Sequence, residues 1–322
     1  MAFSSELINA LDKLLNENVS FGDINQKAKE ISKKYRANDN NGTRLVTKSN
    51  EAIAYALSRM PATYESVASV IEKIFELNDF EINTALDVGA GTGAGTWAVF
   101  DKLGPKNFLC LEREQEMINI GKKLMCNSEL EKIVNWKQFD VLKDQLDNKY
   151  DLVIISYMIN ELPKEHIQKV LEKIWNATNE VLIIIEPGTP KGFSNILEIR
   201  KKLINEKANL IAPCSHELEC PIGKNDWCNF SCRIQRSKVH KMLKDGQSPF
   251  EDEKFSYVAF SRKKVYKVDN RILRHPIINK GFSEYKICTK DGIKNVKISK
   301  KNGILYKEAK KKSAGDSLNL NN

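Results

Sequence analysis

Apolar residues near the start of the chain recur three and four positions apart. ELINALDKLLNE (6–17) and NEAIAYALSRM (50–60) carry this spacing, and Pro61-Ala-Thr opens a further stretch, TYESVASVIEKIFEL (63–77). That period puts apolar side chains on one helix face, so residues 1–80 are expected to form an N-terminal helical region. From about residue 82 the pattern changes. Short apolar runs, TALDVGA (84–90), NFLCLER (107–113), VNWKQFD (134–140), YDLVIISYM (150–158) and EVLIIIEPG (180–188), alternate with helical patterns at 92–103, 115–126 and 165–178. Five strands and their crossover helices predict an α/β domain over 81–200, a parallel sheet with helices on both faces. Past 190 the pattern turns irregular, with a helix expected around SKVHKMLK (237–244) and β-like stretches such as FSYVAFSRKKVY (255–266). Residues 201–310 read as a basic, cysteine-containing extension and 311–322, KKSAGDSLNLNN, as a disordered tail.

With 322 residues and 41% hydrophobic content, the chain can supply a sizeable core. Its longest apolar runs, such as VLIIIEPG (181–188), are strand-length, far short of the roughly 20 residues of a membrane span, so no membrane partner is expected. The first residues carry Glu6 and Asp12, with neither a basic leader nor an arginine-rich amphipathic face; the expected location is the cytoplasm. In that reducing compartment cysteines stay as thiols, and a dense group of them points to a metal or redox site. Charge is unevenly placed: residues 1–190 hold 22 Lys and Arg against 28 Asp and Glu, whereas residues 191–322 hold 29 against 14. A field of that sign attracts polyanions, and Arg233, Arg236, Lys238, Lys241, Lys244, Arg262, Lys263 and Lys264 are the residues expected to face phosphates.

The segment LDVGAGTGAGTWA (86–98) leads from a strand through Gly89, Gly91 and Gly93 into a helix. Small residues there let a backbone approach a ligand, and the helix N-terminus favours negative charge. A P-loop would need lysine at its end, and none is present. A dinucleotide fingerprint, Gly89-x-Gly91-x-x-Ala94 with Glu112 closing the next strand, keeps an NAD(P)-dependent enzyme open. Asp87 before G-x-G-x-G resembles instead the first motif of class I S-adenosylmethionine-dependent methyltransferases, which have a Rossmann-like fold. That resemblance implies that the turn meets the methionine part of the cofactor, that Glu112 takes the ribose and that Asp140 reaches the adenine. After the fourth strand the chain reads Ser156-Tyr157-Met158-Ile159-Asn160-Glu161-Leu162-Pro163, without the Pro-Pro-Tyr of amino-methyltransferases. No cysteine lies between 127 and 213, so methyl transfer through a covalent cysteine adduct is not expected.

Five of seven cysteines lie beyond residue 213, at 214, 220, 228, 232 and 288. None forms the tight C-x2-C pair favoured by structural zinc, and spread thiolates suit an iron–sulfur cluster at least as well. His216 is a further possible ligand, or a residue supporting one. Cys110 and Cys126 read as structural thiols.

Taken together, LSRMPATYESV (57–67), LDVGAGTGAGTWA, SYMINELP (156–163), IEPGTPKGF (185–193), APCSHELECP (212–221), DWCNFSCRIQR (226–236) and FSYVAFSR (255–262) resemble the methyltransferase-like proteins of the mitochondrial small ribosomal subunit and their bacterial relatives. The resemblance implies S-adenosyl-L-methionine binding and association with the small ribosomal subunit and its rRNA during assembly. It also implies a [4Fe–4S] cluster on Cys214, Cys220, Cys228 and Cys288, with zinc as the alternative metal and Cys232 as the rival fourth ligand. Methyl transfer and a non-catalytic assembly role both remain open at this point.

Overall fold

The computed structural model describes residues 4–16, 21–37, 46–236, 241 and 248–320. The chain divides into two compact units: Met1–Ile71 with Glu81–Leu182 and Cys232–Glu253, and Glu72–Phe80 with Ile183–Ser231 and Lys254–Asn322. The first unit takes in the N-terminal residues to Ile71 together with Glu81–Leu182.

Three helices come first, α1 (Ser5–Asn16), α2 (Phe21–Ala37) and α3 (Ser49–Ile74). The apolar stripe of α1 is Leu7, Leu11 and Leu14, all buried. Glu51 starts α3 by accepting the N–H groups of Thr47 and Lys48 at 2.9 and 3.2 Å. The helix then runs unbroken through Pro61, where the spacing had suggested a new start. An interior proline removes one hydrogen bond and costs roughly 3 kcal/mol. Burial of Ala56, Leu57, Met60, Ala62 and Tyr64 around it offsets that loss.

The strands of the α/β region are β1 (Thr84–Val88), β2 (Asn107–Glu112), β3 (Val134–Gln138), β4 (Tyr150–Ser156) and β5 (Thr178–Pro187). Between them lie α4 (Ala94–Leu103), α5 (Gln115–Met125), the short α6 (Leu130–Ile133) and α7 (Ile167–Asn176). β1 pairs in parallel with both β2 and β4, which sets Asp87 level with Cys110 and Ile154. Leu152 to Ile155 are all buried, as a strand covered on both faces requires.

After β5 come α8 (Pro190–Asn205), β6 (Asn209–Ala212), β7 (Phe230–Gln235) and β8 (Phe250–Ser261). Strand order in the larger sheet is β3-β2-β1-β4-β5-β8-β6, with β7 on β8. The run 3-2-1-4-5 is the Rossmann-type order, so the expected class I methyltransferase-like α/β fold is the observed one. A smaller antiparallel sheet comprises β9 (Asn270–Ile272), β10 (Ile277–Asn279), β11 (Phe282–Thr289) and β12 (Gly292–Ser299), followed by α9 (Ile304–Ala309). Ile272, Tyr285, Ile287, Ile298, Leu305 and Leu318 form its core. Apart from Lys241, the helix expected at 237–244 lies outside the described residues.

The tail corrects its sequence reading. Leu318 is buried, and it exchanges two hydrogen bonds with the Asn270 side chain, at 2.8 and 2.9 Å. Asp316 pairs with Lys73, and Ile272 exchanges backbone hydrogen bonds with Asp316 and Gly315 at 2.8 Å each. Low hydrophobicity pointed to disorder, but one apolar anchor and these backbone bonds suffice to hold the strap.

Candidate functional site

The glycine turn follows directly from β1. Gly89 and Ala90 donate their N–H groups to the Leu111 carbonyl at 2.8 and 3.0 Å, folding the chain back sharply into α4. Gly89 and Gly91 have φ of 71° and 57°, a region that favours glycine. A Cβ at Gly89 would lie 2.6 Å from Met158 Cγ; one at Gly91 would have Tyr55 Cε1 3.6 Å away. Gly91 donates its N–H to Glu112 Oε2 at 2.8 Å, while Glu112 Oε1 accepts from Glu114 at 2.9 Å.

Beside this turn a cleft encloses about 910 Å³, its open mouth included. Gly89, Gly91, Glu112 and Asp140 line it, together with Tyr55 and Phe139. Burial raises the Glu112 carboxyl pKa, against the pull of the backbone N–H groups of Glu114, Gly91 and Arg113. Asp140 lines the cleft and also closes its own turn, accepting from the Leu142 N–H at 3.0 Å and pairing with Lys143 at 3.5 Å.

Asp87 and Gly93, both expected at the cofactor, are not in the cleft wall. Asp87 is fully buried, its Oδ2 accepting from Thr96 Oγ1 at 2.9 Å and its Oδ1 having no hydrogen-bond partner. Burial, with Glu112 as a further negative charge, raises its pKa to about 7. It supports the turn through the first residues of α4. Gly93 caps that helix, where a Cβ would meet Met125 Cε at 2.6 Å. At the end of β4, Tyr157 has φ of 61° and hydrogen-bonds Ser66 Oγ at 3.1 Å, and Asn160 donates to the Tyr157 carbonyl at 3.1 Å. Tyr157 lines the cleft together with Ser156, Met158 and Glu161.

The second site is built from side chains rather than backbone. A cavity of about 520 Å³, its mouth included, is lined by Cys214, Cys220, Cys228 and Cys288 and walled by Phe193, Ile196 and Tyr257. Burial pushes the Cys228 thiol pKa well up, and Cys214, Cys220 and Cys288 push it further. Burial and the thiols of Cys214 and Cys220 raise Cys288 to about 12. Cys232 does not line this cavity; its pKa is raised by burial and then by Glu253 and Glu65. The structure thus joins Cys288, and not the sequence-adjacent Cys232, to the other three. Among the described residues, no three His, Cys, Asp or Glu side chains already stand as a formed metal site.

Two buried arginines hold the cysteine loop. Arg200, on α8, donates to the carbonyls of His216 and Leu218 at 2.7 and 2.9 Å, and Arg271 donates to that of Pro213 at 2.9 Å. Arg200 lines the cavity, and its Nε is buried without a hydrogen-bond partner. That donor set fits a metal group: neighbouring thiols become thiolates only with a cation among them, and the buried Arg200 guanidinium, with an N–H to spare, offsets the negative charge the thiolates bring. His216 is buried with Nε2 3.7 Å from Cys288 Sγ, and burial and Arg200 hold its pKa below the usual value. Sequence reasoning missed Arg200, Arg271, Tyr55 and Met158. Arg200 sits in EIRKKL, where nothing separates it from the neighbouring lysines.

Two cations expected to face phosphates are paired. Arg233 meets Asp252 at 3.1 Å, and Arg236 meets Glu251 at 3.2 Å. Lys238 and Lys244 lie outside the described residues. No described helix is long and apolar enough to cross a membrane.

Comparison with known proteins adds the family. The family described as mitochondrial small ribosomal subunit Rsm22 matches residues 49–319. The human ribosome assembly protein METTL17, mitochondrial, is 27% identical over 229 residues, covering 66% of this chain and 49% of that protein. Rsm22-cox11 tandem protein 2, mitochondrial, of Schizosaccharomyces pombe is 22% identical, covering 83% of this chain and 43% of that protein. The chain thus spans about half the length of these relatives or less. Among solved structures, the magnesium protoporphyrin IX methyltransferase of Synechocystis PCC 6803 is 12% identical, with 71% of this chain and 90% of that chain covered and a TM-score of 0.39. A likeness at that level adds nothing to the strand order already described. The expected cytoplasmic location is overturned, since both relatives and the family itself are mitochondrial by description. The acidic residues Glu6 and Asp12 were no guide to the compartment. With a match that runs from α3 to the C-terminal strap, the chain belongs to the family of the mitochondrial small ribosomal subunit protein Rsm22.

Proposed function

We propose that this chain is an S-adenosylmethionine-binding, methyltransferase-like factor that acts on the small ribosomal subunit during assembly and carries a [4Fe–4S] cluster on Cys214, Cys220, Cys228 and Cys288. The observation that carries the reading is the glycine-turn cleft, with Glu112 fixing the Gly91 N–H, in a chain of this family. The free lone pairs of Glu112 would take the ribose hydroxyls, the Gly89–Gly91 backbone would pass the methionine part, and Phe139 and Asp140 would border the adenine. Gly91 has φ of 57°, a backbone conformation that favours glycine, and a larger side chain there would extend past Tyr55 in the cleft wall. A bound cluster would supply either electron transfer or a rigid link between the cysteine loop and β11; the chain's own residues position the four thiols, of which Cys288 is buried and the other three half-buried.

A non-catalytic assembly role has its own support. Tyr157 turns its hydroxyl onto Ser66 and Asn160 bonds the Tyr157 backbone, so two polar groups at the end of β4 serve local structure. For rRNA, the exposed lysines of the smaller sheet and α9, Lys290, Lys300, Lys301, Lys307 and Lys311, suit phosphate contact better than the paired Arg233 and Arg236.

The test is anaerobic purification followed by iron, sulfide and zinc analysis, S-adenosylmethionine titration, and methyl transfer from labelled cofactor to assembling small subunits. Iron and sulfide with cofactor binding are expected. Zinc without either would sink the cluster assignment, and preference for NAD(P) would sink the cofactor assignment. Cofactor binding with no methyl transfer, and subunit association that survives a bulky residue at Gly91, would select the non-catalytic role.

A further inference from the structure

His216 lies between two anchors. Its carbonyl is held by the buried guanidinium of Arg200 at 2.7 Å, and the hydroxyl of its neighbour Ser215 is 3.5 Å from the Cys288 carbonyl. The ring is buried and directs Nε2 at Cys288 Sγ, 3.7 Å away, across 72 residues of sequence. A nitrogen so close to that sulfur could act in two ways. As a ligand it would have to share the metal of Cys288, yet four thiolates already fill a tetrahedral ion or the four corners of a cluster. As a donor it needs only a proton, and a metal-bound thiolate has nothing but lone pairs to offer. The nitrogen facing it must carry the hydrogen.

We propose that His216 is a positioning residue for the metal group, donating Nε2–H to the Cys288 sulfur and thereby raising the reduction potential of the cluster. This inference rests on the cluster reading above. A hydrogen bond to a ligating sulfur stabilises the more negative, reduced state, so its loss shifts the potential downward. It also gives Cys288, the ligand supplied from a distant strand, a second tie to the loop bearing Cys214 and Cys220.

The experiment compares wild type, His216→Leu and His216→Gln, each purified anaerobically, by iron and sulfide content and by redox titration of the cluster's visible absorbance. His216→Leu is expected to keep its iron and to titrate at a more negative potential, with His216→Gln between it and wild type because an amide N–H remains. An unchanged potential in His216→Leu at full iron content would overturn the assignment. Wild-type protein with histidine labelled by nitrogen-15 supplies a second measurement that no folding defect can confuse. After dithionite reduction, pulsed electron paramagnetic resonance should show a weak nitrogen coupling transmitted through sulfur. A strong coupling, as from nitrogen bound to iron, or none at all would also overturn it. Wild type without iron and sulfide would instead fail the cluster reading itself, a result distinct from either.

Discussion

The glycine-turn cleft and the thiol cavity are assembled in opposite ways. In the cleft the key atoms are backbone: Gly89 and Gly91 and the amide that Glu112 holds, all within one strand–turn–helix and the strand beside it. In the cavity they are side chains from a loop and from β11, at least 60 residues further on in the sequence, with two buried arginines pinning the loop. The contrast teaches that a site made of local backbone tolerates exchange of its side chains but not of its glycines. A site made of distant side chains fails when any one of them is removed.

The largest effect should come from breaking the cavity. Cys228→Ser is expected to abolish retention of iron and sulfide, whereas Cys232→Ser should leave the metal content of wild type. Loss of iron in Cys232→Ser with retention in Cys288→Ser would reverse the ligand assignment. Cofactor affinity should stay within about twofold in all three variants if the two sites are independent.

Next in size is the turn. Gly89→Val forces a β-branched residue into the left-handed region and against Met158. The dissociation constant for S-adenosylmethionine should rise at least tenfold, about 1.4 kcal/mol, by calorimetric titration. Unchanged affinity would remove the turn from the cofactor site.

Asp87 gives a smaller effect that depends on pH. Folding raises its pKa from the ordinary 3.8 to about 7, so the folded chain holds this proton more tightly between those values. The stability it contributes is present at low pH and is lost as pH rises toward 7. Asp87→Asn should therefore flatten the pH profile and gain about 1–3 kcal/mol at pH 8 relative to pH 5, read from thermal melts. Parallel profiles for wild type and variant would show that Asp87 is not held protonated.

The smallest effect expected is at the C-terminal strap. Asp316→Asn removes the pair with Lys73 but leaves the backbone ties of Gly315 and Asp316 to Ile272, so a loss of about 0.5–1 kcal/mol is expected in urea melts. The pKa of Asp316 is lowered despite the opposing effect of burial, because Lys73 and the Ser313 N–H stabilise the charge. Any stability it adds is lost as pH falls through the carboxylate range. If the variant melts like wild type at both pH 7 and pH 3, the pair contributes nothing.

Much of the first site was legible from the chain alone, since alternating strand and helix periods, the glycines and Glu112 follow one another in the order of the fold. Local spacing also misled. Asp87 looked like a ligand residue because it precedes the glycines, but an inward-facing position on a strand buried on both faces seals it beneath the turn. Pro61 looked like a helix start, and burial on both sides carried α3 through it. Composition described the last residues as free, while Leu318 and Asn270 dock them.

By itself, then, the sequence determined the elements, the turn and the supply of thiols, because periodicity and backbone chemistry act over a few residues. The family resemblance had named Cys288 as the fourth thiol, and the tertiary structure gives the physical reason it lies with the other three. Cys228 and Cys232 are four apart in the chain, yet Cys228 lines the cavity with Cys288 while Cys232 has Glu253 and Glu65 for neighbours. Partners separated by sixty residues are chosen by strand register and by the packing of buried charges such as Arg200 and Arg271, neither of which any local spacing encodes.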